Sequence, residues 1–408
     1  MSSDVSTKER VGQAPTSSAN GTFLDEMRVR LRKGEFGQLP VLLTLVLVML
    51  FFNIASKGVF LHPRNLSNLV LQQAVVGTLA LGSVLVLLIG EIDLSIAAVS
   101  YLCGAVMVKL SVDHHVSAFV AILAALVVGL VIGLVNGFFV SYLRVPSFIV
   151  TLAGLLAYSG LVLHVLLPNT TIRLEDNALK AIAAQYVIFP WDVLIPLPLV
   201  AIYFLFLMRQ RLARAKQGLR LSPWWDFGLR IGAVVVSVAL ALFVFEQYQG
   251  VPITAIVLLG LILVFWLLMR FTTFGRHVYA VGGNAEAARR AGINVVGIRI
   301  AIFGLASTLA ATAGILEASR IISGSAQIDP TFLLNAIAMA VIGGVSLFGG
   351  RGSVWAVVIG VLIIGSLSNG LVLLGKGTDI EQMVEGAVLL IAVTVDALAR
   401  RRNATGLR

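Results

Sequence analysis

Cysteine is almost absent from this chain. Cys103 is the only one in 408 residues, and it lies in an apolar segment. A single cysteine permits no intrachain disulfide and no cysteine metal site; its surroundings suit a small buried hydrophobe. Charge is scarce as well. Asp, Glu, Lys and Arg make up 12% of the chain, about half the ~25% usual in soluble domains. Histidine gives no metal pattern either: His62, His114, His115, His164 and His277 lack ligand spacing with one another or with cysteine. What remains is apolar, with 58% hydrophobic residues and a mean hydropathy of +0.97. A soluble chain of this length would divide into two or three domains. Here the length suits one polytopic bundle, since a spanning helix takes ~20 residues.

Acidic residues are fewest: 20 against 30 basic ones, for a net charge of +10. Such a balance raises the question of nucleic acid, and the distribution answers it. Basic residues cluster at Lys8–Lys33, Arg209–Arg230 and Arg270–Arg299, at Arg144 and Arg351, and at Arg400–Arg408. Only Lys57, Arg64, Lys109, Arg173, Lys180, Arg320 and Lys376 fall between the alternate apolar runs, a split of 23 to 7. This is the positive-inside pattern. It places both termini in the cytoplasm, and short basic loops without one continuous basic face exclude nucleic-acid binding.

Twelve apolar runs are expected to span or partly span, at about 40–60, 67–90, 94–110, 117–141, 148–168, 191–208, 231–247, 252–270, 298–318, 332–347, 353–374 and 380–398. The fold class expected is an all-α polytopic membrane protein of about twelve helices. Residues 1–38 read as a disordered cytoplasmic tail with no secretory signal, so the first run would act as an uncleaved anchor. Residues 39–399 form the transmembrane domain and 400–408 a cytoplasmic tail. Three runs are weak: 94–110 is short and contains Gly104, 191–208 carries Pro196 and Pro198, and 332–347 ends in Gly343-Gly344. Short, Gly-interrupted segments mark either discontinuous helices lining a pathway or tight reverse turns. Val86–Gly90 leading to Ser95, and Val345–Gly349 leading to Ser353, form a faint internal repeat.

Polar islands sit between these runs. Glu91 and Asp93 follow an apolar run directly, where a charge costs ~2.5–3.5 kcal/mol even on lenient scales. They are two apart and share no helix face, so an acid–base pair is not expected. Closing a helix break, bonding freed backbone donors or lining a path is. Ser95, Asn136, Phe148 and Asn335 join them as pathway or helix-break residues. Gly129, Gly133 and Gly137, four apart on one helix face, let another backbone approach. Glu317 and Glu385 are expected to pair or snorkel at interfaces. In the loop 271–298, Asn284 is placed to N-cap a short helix over 285–291, with Glu286 in its first turn and Gly292 ending it. The result is a rigid cytoplasmic knob presenting Arg289 and Arg290. Gly370-x-x-x-x-Gly375-Lys376-Gly377 imitates a phosphate loop, but Gly377 stands where Ser or Thr is required and a membrane helix precedes it. No catalytic or metal-binding cluster is expected.

These motifs resemble those of the membrane permeases of bacterial monosaccharide ABC importers, the ribose, galactose, arabinose and xylose permeases. The resemblance rests on Glu91-Ile-Asp93-Leu-Ser95, Pro146–Leu152, Phe274-Gly275-Arg276, Tyr279-Ala-Val-Gly282-Gly283-Asn284-x-Glu286-Ala-Ala-Arg289, Ile342–Gly350 and Asn369-Gly-Leu371, and covers about 40–400. The chain looks most like the xylose type, from Glu91 before Ile-Asp and from the insert at about 169–250 with two extra apolar runs. It departs at Leu333-Leu-Asn335, where the family usually has an acidic segment, and at Ile96-Ala-Ala. The resemblance implies a ten-helix core plus two helices in the insert, a second permease copy, a cytoplasmic ATPase coupled through 271–298, and an extracytoplasmic sugar-binding protein. ATP and magnesium would be held by the ATPase and no cofactor by this chain. The rival readings are an ion-gradient-driven secondary transporter, a membrane-embedded enzyme, and an ABC permease for a substrate other than a pentose.

Overall fold

The computed structural model describes residues 39–218, 221 and 223–405. The expected N-terminal tail and residues 406–408 lie outside them. The chain divides into two units, one holding Pro190–Ala241 and the other the described residues up to Phe189 and from Leu242 onward.

The larger unit begins with α1 (Leu39–Ala55), α2 (Pro63–Leu88), α3 (Ile96–Val112), α4 (Ala118–Ser141) and α5 (Ser147–Leu166). Then come β1 (Thr171–Arg173), α6 (Asn177–Ala184) and β2 (Tyr186–Val187). The smaller unit carries α7 (Trp191–Leu194), α8 (Pro196–Lys216) and most of α9 (Trp224–Glu246). The larger unit resumes with β3 (Val251–Pro252), α10 (Ile253–Phe271), α11 (Thr273–Gly283), α12 (Ala285–Arg290) and α13 (Val295–Ile321). It ends with β4 (Ser323–Ser325), α14 (Pro330–Ile342), α15 (Ala356–Leu373) and α16 (Thr378–Thr405).

Among the described residues, eight helical segments are long and apolar enough to cross a membrane, and α1, α3 and α14 are shorter apolar helices. The protein is therefore a helical, multi-pass membrane protein. It is not wholly α. Two antiparallel ribbons, β1 with β4 and β2 with β3, tie the segment 171–187 to residues 251–252 and 323–325. The run at 332–347 does not continue as one helix. Helix α14 has 13 residues, roughly 20 Å at ~1.5 Å per residue, short of the ~30 Å hydrocarbon layer.

Helix α13 packs against α2, α3 and α4, and α2, α14 and α15 pack on one another. The α4 contact is the glycine stripe. A Cβ at Gly129 would lie 2.7 Å from the Ser307 carbonyl oxygen, one at Gly137 2.8 Å from Ile300 Cα, and one at Gly133 would overlap the Phe303 carbonyl. The expected close approach is thus to α13. The opposite face of α4, with Phe119, Leu123, Val127 and Val131, is exposed and apolar, as a lipid-facing surface must be where every backbone group is bonded within the helix.

In the smaller unit the basic stretch from Arg209 is helical rather than a loop. Arg209, Arg211, Arg214 and Lys216 occupy the last turns of α8, where cations favour the helix C-terminus. The two prolines that made this run look weak lie in the first turn of α8, the one place a helix accepts them. Arg211 stacks 3.9 Å from the centre of the Trp224 ring, and Phe204 meets Phe227 edge-on.

Candidate functional site

Helix α2 stops at Leu88 and α3 starts at Ile96, leaving a non-helical break. Asp93 closes it. Its Oδ1 accepts from the Ser95 amide at 2.8 Å and from the Ser95 hydroxyl at 2.6 Å. Ser95 Oγ in turn accepts from Asn136 Nδ2 at 3.2 Å, and Asn136 Oδ1 accepts from the Tyr158 hydroxyl at 2.7 Å. One chain of bonds therefore joins the break to α4 and α5. Asp93, Ser95 and Asn136 are all buried, so each bond is worth more than it would be in water and each missing partner costs more. The break thus brings together three of the residues singled out in the sequence. It adds Tyr158, whose only signal was a phenol in the middle of an apolar run.

Glu91 points elsewhere. Its carboxylate pairs with Arg299 at 3.0 Å, with side chains 14% and 25% exposed. The pair lines a cavity of about 300 Å3 together with Arg144 and Arg289. Arg299 lies in the second turn of α13 and Arg289 in α12, so this cavity sits between the break and the knob.

The knob has the expected caps. Asn284 Oδ1 accepts from the Ala287 amide at 2.9 Å, Gly292 adopts φ +82°, and Asn294 caps α13 through the Gly297 amide at 2.9 Å. Glu286 faces Arg289 and Arg290 at 3.4 and 3.3 Å. These pairs are exposed and worth little, so they pose the arginines rather than stabilise the fold. The stretch before the knob, expected as loop, is α11. Thr272 Oγ1 caps it through the Gly275 amide at 3.2 Å, a Cβ at Gly275 would overlap the Met269 carbonyl, and Arg276 is exposed.

Helix α11 touches both members of the faint repeat. A Cβ at Gly282 would overlap the Leu88 carbonyl oxygen, and one at Gly349 would lie 2.7 Å from the Gly90 nitrogen. The Gly350 amide donates to the same Leu88 carbonyl at 2.9 Å. A Cβ at Gly350 would lie 2.7 Å from Gly283 Cα, while Gly283 itself has open space at its own Cβ position. Tyr279 donates its hydroxyl to the Gly352 carbonyl at 3.1 Å, and burial pushes that phenol above its ordinary pKa, keeping it a donor. The end of α2, the end of α11 and the 348–352 turn thus meet backbone to backbone.

Two of the residues expected to line a pathway or close a helix break lie apart from this break. Phe148 is 54% exposed and makes no bond in the network. Asn335 is on α14, where its Nδ2 donates to Glu385 Oε1 of α16 at 3.2 Å. Glu381 of α16 accepts from Ser368 of α15. An acid of the neighbouring helix thus stands beside Asn335. Glu317 pairs with Arg320 through two bonds, at 2.8 and 2.7 Å.

Residues 65–393 match a protein family described as the permease component of the branched-chain amino acid transport system. The match takes in the break, the knob and the glycine junction, and the chain belongs to this family of transport-system permeases. It is 37% identical over 362 residues to the xylose transport system permease protein XylH of Haemophilus influenzae, covering 89% of this chain and 96% of that one. It is equally identical to XylH of Escherichia coli over 360 residues, covering 88% and 91%. It is 32% identical over 363 residues to the ribose import permease protein RbsC of Bacillus subtilis, covering 89% and 94%. No solved structure matches the chain.

Proposed function

We propose that this chain is the membrane permease of an ATP-driven monosaccharide importer in a bacterial cytoplasmic membrane, with xylose as its substrate. The observation that carries the reading is the near full-length similarity to xylose permeases. A doubly capped knob projecting arginines between the short helix α11 and the long helix α13 fits it. In this reading two copies of the chain form the path between them. A cytoplasmic ATPase holds ATP and magnesium and grips α12 through Arg289 and Arg290, and an extracytoplasmic binding protein delivers the sugar. This chain hydrolyses nothing. Both termini and the knob face the cytoplasm, and the segment 169–190 faces outward, as the charge split requires.

The geometry supports a route for the stroke. Displacement of α12 moves α11, and α11 bears on Leu88 and the 349–350 turn through glycines that leave no slack. The Glu91–Arg299 pair links the same break to α13. Both helix breaks then move together, opening the path to one side and closing it to the other.

The test is reconstitution with the ATPase and the binding protein in vesicles. Xylose uptake should require ATP, stop with vanadate and survive an uncoupler. Uptake that instead collapses with the ion gradient makes the chain a secondary transporter. ATP-driven uptake of leucine but not xylose assigns it the substrate class in the family's description.

A further inference from the structure

A second polar island lies at the opposite ends of the helices from the knob, on α14 and α16. A cavity of about 170 Å3 opens there, smaller than the ~300–1,000 Å3 of pockets for drug-sized ligands. Its walls carry Thr331, Asn335, Gln382 and Glu385 beside apolar Leu334 and Leu389. Glu385 is 7% exposed, and Asn335 holds its carboxylate through Nδ2. Asn335 Oδ1 is buried and has no hydrogen-bond partner. Polar side chains at this depth in a membrane helix face a bundle interior or a watery cavity, and they mark substrate paths.

We infer that this α14–α16 cavity is a subsite of the permease itself for one neutral monosaccharide, a deepening that rests on the sugar-import reading above. The chemistry selects the class. A sugar offers hydroxyls that both donate and accept, set around a ring with C–H faces. The lining offers amide, carboxylate and hydroxyl groups for the first and leucine side chains for the second. The free Asn335 oxygen takes a hydroxyl donor, and Glu385 takes another. Among the described residues no Lys, Arg or His lines the cavity, so they offer no cationic partner for the carboxylate of an amino acid or sugar acid or for the phosphate of a sugar phosphate. It lies along the first three turns of α14 and the second to fourth turns of α16, toward the extracytoplasmic end in the proposed topology, where a delivered sugar enters.

The experiment measures equilibrium binding of labelled xylose to the purified full chain in lipid nanodiscs, without the other subunits. Saturable binding is expected, displaced by unlabelled xylose but not by xylonate or leucine. Asn335→Leu should weaken it at least tenfold, Gln382→Ala should weaken it less, and Asn335→Asp should retain part of it. Thermal unfolding of each variant shows that the bundle is intact; should Asn335→Leu fail to fold, Gln382→Ala and Asn335→Asp carry the test. Absence of saturable xylose binding to the wild type overturns the subsite, as does undiminished binding by the folded variants. Uptake by the complete transporter separates the two ideas. ATP-driven xylose uptake without binding to the permease removes the subsite and leaves the import reading standing. Absence of ATP-driven sugar uptake removes the import reading itself.

Discussion

Between α2 and α3 the chain leaves helical geometry around residues 89–95, and between α14 and α15 it does so over 343–355. Both breaks free backbone groups that lipid cannot satisfy, yet they are held differently. The first begins with backbone bonds from Gly90 to Leu87 and Glu91 to Val86 and is then closed by side chains: Asp93 accepts from Ser95, and Asn136 and Tyr158 carry the bonds into two other helices. The second is closed mainly by the backbone, with Val345 donating to Ala340 and Ser346 to Arg351, both at 3.0 Å, and its side-chain bonds at Ser346, Ser353 and Tyr279 stay local or end on main chain. Gly344, Gly349, Gly350 and Gly352 there take positive φ values. A side-chain closure can be loosened by deleting one atom. A backbone closure is broken only by adding one.

Substitutions can break this comparison from either side. The largest effect is expected where the two breaks meet. Gly282→Val and Gly349→Ala each insert atoms against backbone, and Gly349 also holds φ +82°. Overpacking of this kind costs ~1–3 kcal/mol, occasionally more, so both variants should lose most of the monodisperse permease in detergent. Gly283→Ala, next door with open space, should not. Equal behaviour of Gly282→Val and Gly283→Ala would refute the backbone junction.

Deleting atoms at the first break comes next. Asp93→Ala strands the buried Ser95 amide and hydroxyl, at ~1–3 kcal/mol for each unsatisfied group. Asp93→Asn keeps an acceptor and should recover part of that loss. Asp113→Ala, at an exposed pair with Lys109, should unfold at the wild-type temperature. A thermal shift for Asp113→Ala as large as that for Asp93→Ala would remove the network from any structural role.

The Glu91–Arg299 pair is expected to matter less for folding than for the stroke. A double-mutant cycle of Glu91→Gln and Arg299→Gln should give an interaction energy of ~0.5–3 kcal/mol. In reconstituted vesicles both single variants should lower sugar transported per ATP hydrolysed, while the ATPase still co-purifies. Additive effects on that ratio would show that the pair links nothing.

The smallest change is expected at the knob. Asn284→Ala removes one cap and costs ~0.5–2 kcal/mol of local helix stability. Arg289→Glu with Arg290→Glu should leave the bundle folded and release the ATPase in a pull-down. Full attachment by this double reversal would make α12 a plain connector.

The sequence disclosed what is local. Apolar runs marked most of the long helices to within a few residues, with the end of α8, the start of α9 and the end of α16 each missed by seven or eight, and the caps at Asn284 and Gly292 and the stripe Gly129–Gly133–Gly137 are short-range patterns. Glu317, three residues before Arg320, was a pair that spacing could suggest. What escaped was long-range or disguised. Glu91 and Arg299 are 208 positions apart, and Asn335 and Glu385 are 50 apart; no periodicity links them. Helix α11 hid behind its glycines, residues that lower helix propensity but let a neighbouring backbone in. The ends of α8 and α9 were masked by basic residues, which suggest loops yet suit a helix end at a membrane surface. The small ribbons were invisible because two- and three-residue strands carry too short an alternation to register.

The seam where Gly282 rests on the Leu88 carbonyl has a consequence for how the molecule can vary. Side chains in contact adjust by changing rotamer, so a loss on one side can be absorbed on the other. Two backbones in contact have no rotamers, and no second substitution can restore a distance set by the main chain itself. The walls of the α14–α16 cavity are ordinary side chains and can be exchanged one by one. A chain built this way is free to be retuned at the end where cargo would enter, while the joint beside the knob must be inherited whole.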